Sequence, residues 1–392
     1  MQNFSFQTPT KFIFGNDALE QVGKELEELS AHRVLIHYGG GSARKNGSLD
    51  RVKASLDQVH ISYIELGGVR PNPEVTLVRQ GIELARKENV DFILAVGGGS
   101  VIDSSKAIAG GFYYEGDVWD FYQSNKRPEK FLPVATVLTI PAAGSEGSTS
   151  NVISNDELGI KNSYKSPQLR PKVSFLDPGL TFGLPPYQSA AGITDMYAHV
   201  LERFFSASEN TPITDNIAIA IFKTLKNTAH RVLEHPDDYN ARANIEWAGM
   251  LAHNGIAGVG RDEDWTSHAL EHELSAFDAS ITHGAGLAVI FPAWMRYVYK
   301  ENPERFAYYG QEVFGNTRSE SVEADALLAI EQTKSFFISL GMPSSLKEFG
   351  ICEDDIDKFL PNLKICRGES FGSFKTLNAQ DAREIYKIAL EG

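Results

Sequence analysis

Along the first half of the chain, short apolar runs alternate with segments whose apolar residues recur every three to four positions. RVLIHYGG (33–40), ISYIELGG (61–68) and DFILAVGGG (91–99) are apolar runs closed by glycines, and FLPVATVLTIP (131–141) and KVSFLDP (172–178) continue the series. Between them, SLDRVKASLDQV (48–59) and EVTLVRQGIELARKENV (74–90) carry the period of amphipathic helices. Strand, helix and strand joined by short Gly-rich turns predict a parallel sheet covered on both faces. At Pro185-Pro186 the strand pattern stops. Beyond it the periodicity is helical, as in TDNIAIAIFKTLKNTAHRVLEH (214–235) and NIEWAGMLAHNGIAG (244–258). The expected division is an α/β domain over residues 1–185 and an all-α domain over 186–392, without internal repeats or low-complexity segments.

Length agrees with that division, since 392 residues exceed one ordinary core. A formal net charge of −14 argues against a nucleic-acid partner, because most of the surface would repel phosphate. No apolar run approaches the roughly 18 residues of a membrane span, and MQNFSFQTPTKF lacks the basic and apolar regions of a secretory signal. Cys352 and Cys366 are the only cysteines and have neither metal-knuckle nor disulfide-framework spacing. A reducing, cytoplasmic setting is expected, with no membrane partner.

Two glycine clusters follow strands. Gly97, Gly98, Gly99 and Ser100 lie between an apolar run and a helical pattern, with Asp103 and Lys106 in the first turns of the helix. Glycines there let the backbone approach a pyrophosphate, and the helix start offers free N–H groups; the bland alternative is a tight turn. The spacing is not G-x-G-x-x-G. The earlier cluster, YGGGSARKNGS (38–48), stands where a dinucleotide fold meets the adenosine ribose, usually with an acidic side chain on the 2′-OH. Gly39 to Ser42 include no acid, and Arg44 and Lys45 follow, so a pocket that prefers NADP(H) over NAD(H) is expected. A plain surface turn is the alternative.

The second half carries the other chemistry. GITDMYAHVLERF holds Asp195 and His199 four residues apart, DWTSHALEHELSAF holds His268 and His272 at the same interval, and His283 follows in ITHGAG. That spacing stacks two side chains on one helical face. Two such helices face to face would surround one cation with a carboxylate and two or three imidazoles. Ile193, Met196, Val200, Leu201 and Phe204 make the first helix otherwise apolar, so Asp195 faces inward and needs compensation. A singly placed histidine is more often a core residue than a ligand. An oxygen–nitrogen set suits Zn²⁺ or Fe²⁺ better than Ca²⁺ or Mg²⁺. His37, His230, His235 and His253 lack comparable partners and are expected to be structural or surface residues.

Eight segments in order resemble the iron-containing (type III) alcohol dehydrogenases over nearly the whole chain. They are PTKFIFG (9–15), PNPE (71–74), GGGSVIDSSKAIA (97–109), LTIPAAGSE (138–146), DPGLTFGLP (177–185), GITDMYAH (192–199), DWTSHALEHELSA (264–276) and THGAGLA (282–288). The likeness is strongest to the butanol dehydrogenase and aldehyde reductase branch. It implies an N-terminal dinucleotide-binding domain, a helical metal-binding domain and a site between them. It implies ligand roles for Asp195, His199, His268 and His283, and places His272 near metal and nicotinamide as a proton relay or an orienting residue. It implies cofactor contacts at Gly40, Ser42, Asn72, Gly98, Gly99, Ser100, Asp103, Thr139, Lys161 and Leu180. A metal- and NAD(P)-dependent exchange of small aldehydes and primary alcohols follows from the resemblance, in a homodimer. Glycerol dehydrogenase-like polyol oxidation and a dehydroquinate synthase-like lyase share the architecture. Two departures stand out: the interval from His268 to His283 is one residue longer than is common in the family, and Ala143 replaces a common threonine.

Overall fold

The structure is a computed structural model that describes residues 1–124 and 126–392, the side chain of Ser42 excepted. The chain forms two compact units. One comprises Gln7–Leu184 with His235–Met250, the other Met1–Phe6, Pro185–Glu234 and Leu251–Gly392.

The first unit is built on a six-stranded sheet. Its strands are β1 (Lys11–Phe14), β2 (Arg33–Tyr38), β3 (Ser62–Leu66), β4 (Phe92–Gly98), β5 (Val134–Ile140) and β8 (Val173–Leu176), in the order β1-β8-β5-β4-β2-β3. All five pairings are parallel, as the alternation of strand and helix requires. β4 shows why its sequence is a continuous apolar run. Phe92, Leu94 and Val96 enter one core cluster while Ile93 and Ala95 enter two others, so both faces are covered. The helix Val75–Lys87 buries Val75, Val78, Ile82 and Ala85 on one stripe, the spacing read from the sequence.

Two elements of this unit lack the expected signal. β1 is four residues long, too short to show a period, and lies at the sheet edge. The antiparallel hairpin β6 (Ser150–Asn155) and β7 (Ile160–Lys165) is hidden because Asn151, Ile153 and Asn155 form the inward face of β6. Buried asparagines break the apolar alternation that marks a strand.

A single cut at 185 does not describe the units. The segment His235–Met250 belongs with the α/β unit, where Trp247 meets Phe12 and Phe14 edge-on at 6.0 and 5.9 Å between ring centroids. At the other end, the Gln2 N–H donates to the Gly260 carbonyl at 2.8 Å and ties Met1–Phe6 to the helical unit. Aromatic and backbone contacts made far along the chain override the local change of pattern.

In the helical unit, the helix Pro186–Phe204 is buried continuously from Ser189 onward. It packs against the helices Pro212–Glu234 and His283–Val298, and the helix Thr266–Phe277 packs on His283–Val298. Gly284 permits the closest of these approaches, for a Cβ there would stand 2.0 Å from the Ala191 carbonyl oxygen. Thus the glycine beside His283 meets the helix Pro186–Phe204 one turn before Asp195. Among the described residues, this unit has no strand beyond the isolated bridge Phe371–Leu377, and no helix is long and apolar enough to cross a membrane.

Candidate functional site

β4 runs directly into the helix Gly99–Gly111, with Gly98 extended at the junction. Pairing with β5 slips between Gly97 and Gly98, where Thr139 is passed over. Added Cβ atoms would lie 2.5 Å from Val101 Cγ2 at Gly97, 3.0 Å from Ile140 Cβ at Gly98 and 2.8 Å from Ala143 Cβ at Gly99. Packing therefore favours glycine at 97 and 99 whether or not a ligand is bound, and leaves a tight fit at Gly98. The start of the helix nonetheless leaves Ser100 only half-buried, with the first N–H groups ahead of it.

The other expected cofactor residues of this unit are spread over several elements. Asp103 is turned into the protein: its oxygens accept from the Ser145 hydroxyl at 2.5 Å and the Val152 N–H at 2.9 Å. Burial raises the Asp103 carboxyl, against Lys106 and these hydrogen bonds. Lys106 is wholly buried and donates to Ser145 O (2.7 Å), Ser145 Oγ (2.9 Å), Ser148 O (3.2 Å), Ser148 Oγ (3.2 Å) and Ser150 O (2.9 Å). Lys161, buried on β7, lies close enough to Asp103 to lower its carboxyl. Thr139 is buried on β5, and Leu180 belongs to the core cluster that also holds Phe92, Leu94 and Val96. Asn72 adopts a left-handed φ of 56°. Gly40 is exposed, and nothing lies within 4 Å of where its Cβ would stand. The Ser42 side chain falls outside the described residues. Arg44 is already engaged, with the Tyr38 hydroxyl and with Glu65 at 3.4 Å.

The carboxylate and histidines of the helical unit converge. His199 Nδ1 lies 3.4 Å from Asp195 Oδ1, and Nε2 of both His268 and His283 lies 3.8 Å from the same oxygen. Asp195, His199 and His268 bring donor atoms within 4.8 Å of one another, and Glu271, His272 and His283 form an adjoining group of the same kind. Asp195 Oδ1, His199 Nδ1 and His268 Nε2 are buried without hydrogen-bond partners. Burial would raise the Asp195 carboxyl, but His199, His283 and His268 outweigh it and hold it well below the usual range. Burial keeps His199 neutral, its pKa well below the ordinary value. A buried carboxylate oxygen gathered within 4.8 Å of two ring nitrogens, all three without hydrogen-bond partners, is an arrangement that a divalent cation compensates. The residues fit such an ion.

His272 lies one turn beyond His268, buried, with its ring 5.6 Å from that of His283. Residues 278–282 link the helix Thr266–Phe277 to the helix that begins at His283. His253 differs from its expected isolation: its ring lies 4.2 Å from that of His199, and its Nδ1 is 3.1 Å from Arg203 Nη2. Arg203 also donates to the His199 carbonyl at 2.8 Å and stacks over Trp265 at 4.6 Å. His37 is structural, with hydrogen bonds to Leu66 O (2.7 Å) and Ser104 Oγ (2.8 Å).

Two carboxylates escaped the sequence reading. Glu202 Oε1 accepts from both the backbone N–H and Nδ1 of His268, each at 2.8 Å, and Glu271 Oε2 is bonded to His283 Nδ1. Glu202 stands three residues after His199 and Glu271 three after His268, on the same helical faces. That spacing was the available signal.

Residues 9–178 match the profile of the iron-containing alcohol dehydrogenases, and residues 189–390 match the C-terminal profile of the same family. The chain belongs to the iron-containing alcohol dehydrogenase family. It is 43% identical over 388 residues to NADH-dependent butanol dehydrogenase A of Clostridium acetobutylicum, with 99% of each chain covered. It is 34% identical to the NADPH-dependent aldehyde reductase YqhD of Escherichia coli, covering 99% of this chain and 100% of that one. The crystal structure of NADH-dependent butanol dehydrogenase A from Thermotoga maritima superposes with a TM-score of 0.96 at 42% identity, covering 100% of this chain and 99% of that one. The fold is thus that of iron-containing alcohol dehydrogenases: a parallel sheet with flanking helices, followed by a helix-rich region.

Proposed function

We propose that this alcohol dehydrogenase interconverts small aliphatic aldehydes and primary alcohols with a nicotinamide cofactor, mainly as an aldehyde reductase. The observation that carries the metal-dependent part is the convergence of three imidazole nitrogens on Asp195 Oδ1, with three of the four groups presenting unpartnered buried atoms. Asp195, His199, His268 and His283 would hold one divalent ion, Fe²⁺ or Zn²⁺. When bound, it supplies a Lewis acid for the substrate oxygen, and the nicotinamide supplies or receives the hydride. Asp195 contributes the compensating charge, and the three histidines offer ring nitrogens from helices packed against one another. His272 is assigned to the proton of the new hydroxyl, with orientation of its neighbours as the competing role. The relatives matched over the full chain favour this reading over the lyase and polyol alternatives.

Cofactor contacts are proposed at Gly40, Ser42, Asn72, Gly98, Gly99, Ser100, Thr139, Lys161 and Leu180, and at Asp103 through its hold on the 145–152 segment. The preference for NADPH drawn from the lack of an acid at Gly39 to Ser42, with Arg44 and Lys45 as added charge, loses part of that charge, because Tyr38 and Glu65 engage Arg44. Open space at Gly40 supports a turn that admits a 2′-phosphate without demanding one. The proposal is acceptance of both NADH and NADPH. A homodimer is proposed as well; edge strand β1 and the exposed Phe14 and Trp247 support it. A cytoplasmic location accords with two free cysteines.

Metal analysis of the purified protein, together with butanal-dependent oxidation of NADH and NADPH, tests the central reading. One metal per chain and turnover with both cofactors are expected. Aldehyde reduction undiminished after complete removal of metal would overturn it.

A further inference from the structure

His268 and His283 each turn Nε2 toward Asp195 and give their other nitrogen to a buried glutamate. Glu202, on the helix Pro186–Phe204, takes Nδ1 and the backbone N–H of His268, on the helix Thr266–Phe277, at 2.8 Å each. Glu271, on that second helix, takes Nδ1 of His283, the first residue of the helix His283–Val298. Each helix therefore lends a carboxylate to the histidine of the next. Both glutamate side chains have no solvent exposure. A buried carboxylate is costly, so its retention at hydrogen-bond distance from an imidazole calls for a compensating purpose. The surroundings are shaped around Glu271: Ser275 donates its hydroxyl to Oε1, and a Cβ at Gly286 would stand 2.8 Å from Glu271 Cγ.

We propose that Glu202 and Glu271 are positioning residues of the metal centre. By accepting from Nδ1–H, each fixes the tautomer and ring plane of its histidine, so that the Nε2 lone pair faces the ion. The negative charge behind the ring also strengthens that nitrogen as a donor. This inference rests on the metal-centre reading above and adds two residues to it.

The test uses the full-length protein, stripped with a chelator and titrated with Co²⁺ against a competing chelator. Glu202→Gln and Glu271→Gln each raise the Co²⁺ Kd by roughly 10–100-fold, the range for loss of such a carboxylate. Both also shift the visible bands of the bound Co²⁺. Nitrogen-15 NMR of the histidine rings in the metal-free parent protein shows Nδ1–H at both His268 and His283, a readout independent of any variant's folding. An Nε2–H tautomer at either ring overturns the proposal for its glutamate. So does a Kd within about threefold of the parent, even when the melting temperature falls, because the role is then only structural. A second Co²⁺ equivalent that disappears in Glu271→Gln makes Glu271 a ligand and overturns its assignment here. Should His268→Ala abolish Co²⁺ binding while both Gln variants bind as the parent does, only this inference fails. A parent protein that binds no Co²⁺ removes the metal centre and this inference together.

Discussion

The glycine turn after β4 and the histidine cluster of the helical unit are made in opposite ways. The turn consists of backbone and of side chains left out: a methyl group at Gly97 or Gly99 would overlap Val101 or Ala143, and one at Gly98 would press on Ile140. The cluster consists of side chains on well-formed helices, backed by Glu202, Glu271 and Arg203. In the turn, the proposed cofactor contacts and the packing share the same atoms, so damage to one is damage to both. In the cluster a side chain can be removed while the helix that carries it remains. The two regions should therefore fail differently.

The largest effect belongs to the cluster. His268→Ala should empty the metal site and lower aldehyde reduction by roughly 10³-fold or more, since a lost electrophile costs several kcal/mol and each 1.4 kcal/mol is tenfold. Metal content, turnover and a melting curve check this. A variant that unfolds outright would break the contrast drawn here. In the α/β unit, Lys106→Met strands the acceptors Ser145, Ser148 and Ser150, which converge on one ammonium. Loss of about 3 kcal/mol is expected, a fall in Tm of roughly 6–12 °C, with metal content unchanged. Loss of metal in this variant would contradict the separation of the two regions.

A finer division lies within the cluster. His272→Ala should retain its metal while turnover drops by roughly 10²-fold, the usual scale of general acid–base assistance. If the metal leaves as well, His272 is a ligand, and the adjoining group with Glu271 and His283 is part of the centre. The smallest effect is expected where a glycine has room. An added Cβ at Gly40 meets no atom within 4 Å, so stability of Gly40→Asp should hold. Its carboxylate should lower kcat/KM with NADPH by about tenfold and spare NADH. Equal losses with both cofactors would mean that the turn lies away from the ribose.

The parts legible in the sequence were those carried by local patterns. β2, β3, β4, β5 and β8 stand where apolar runs end in glycine or proline, and the helices of 48–58 and 75–87 follow their periods. The i, i+4 pairs Asp195/His199 and His268/His272 were visible because a helix converts that interval into a shared face. Less was visible where polar groups turn inward. The hairpin β6–β7 buries Asn151 and Asn155, and His253 gains its partner from Arg203, fifty residues away. Asp103, read as a residue of the cofactor turn, has both oxygens taken by Ser145 and Val152.

By itself the sequence determined which residues could share a helical face and where the backbone had to be free of side chains, because both follow from spacing and steric size. It could not determine which face meets which. That Asp195 Oδ1 collects His199, His268 and His283 depends on the helices 186–204, 266–277 and 283–298 packing at close range, with Gly284 set against Ala191. That Glu202 serves His268 and Glu271 serves His283 depends on the same packing. Periodicity constrains rotation about one helix axis, whereas a coordination site needs the distances between three.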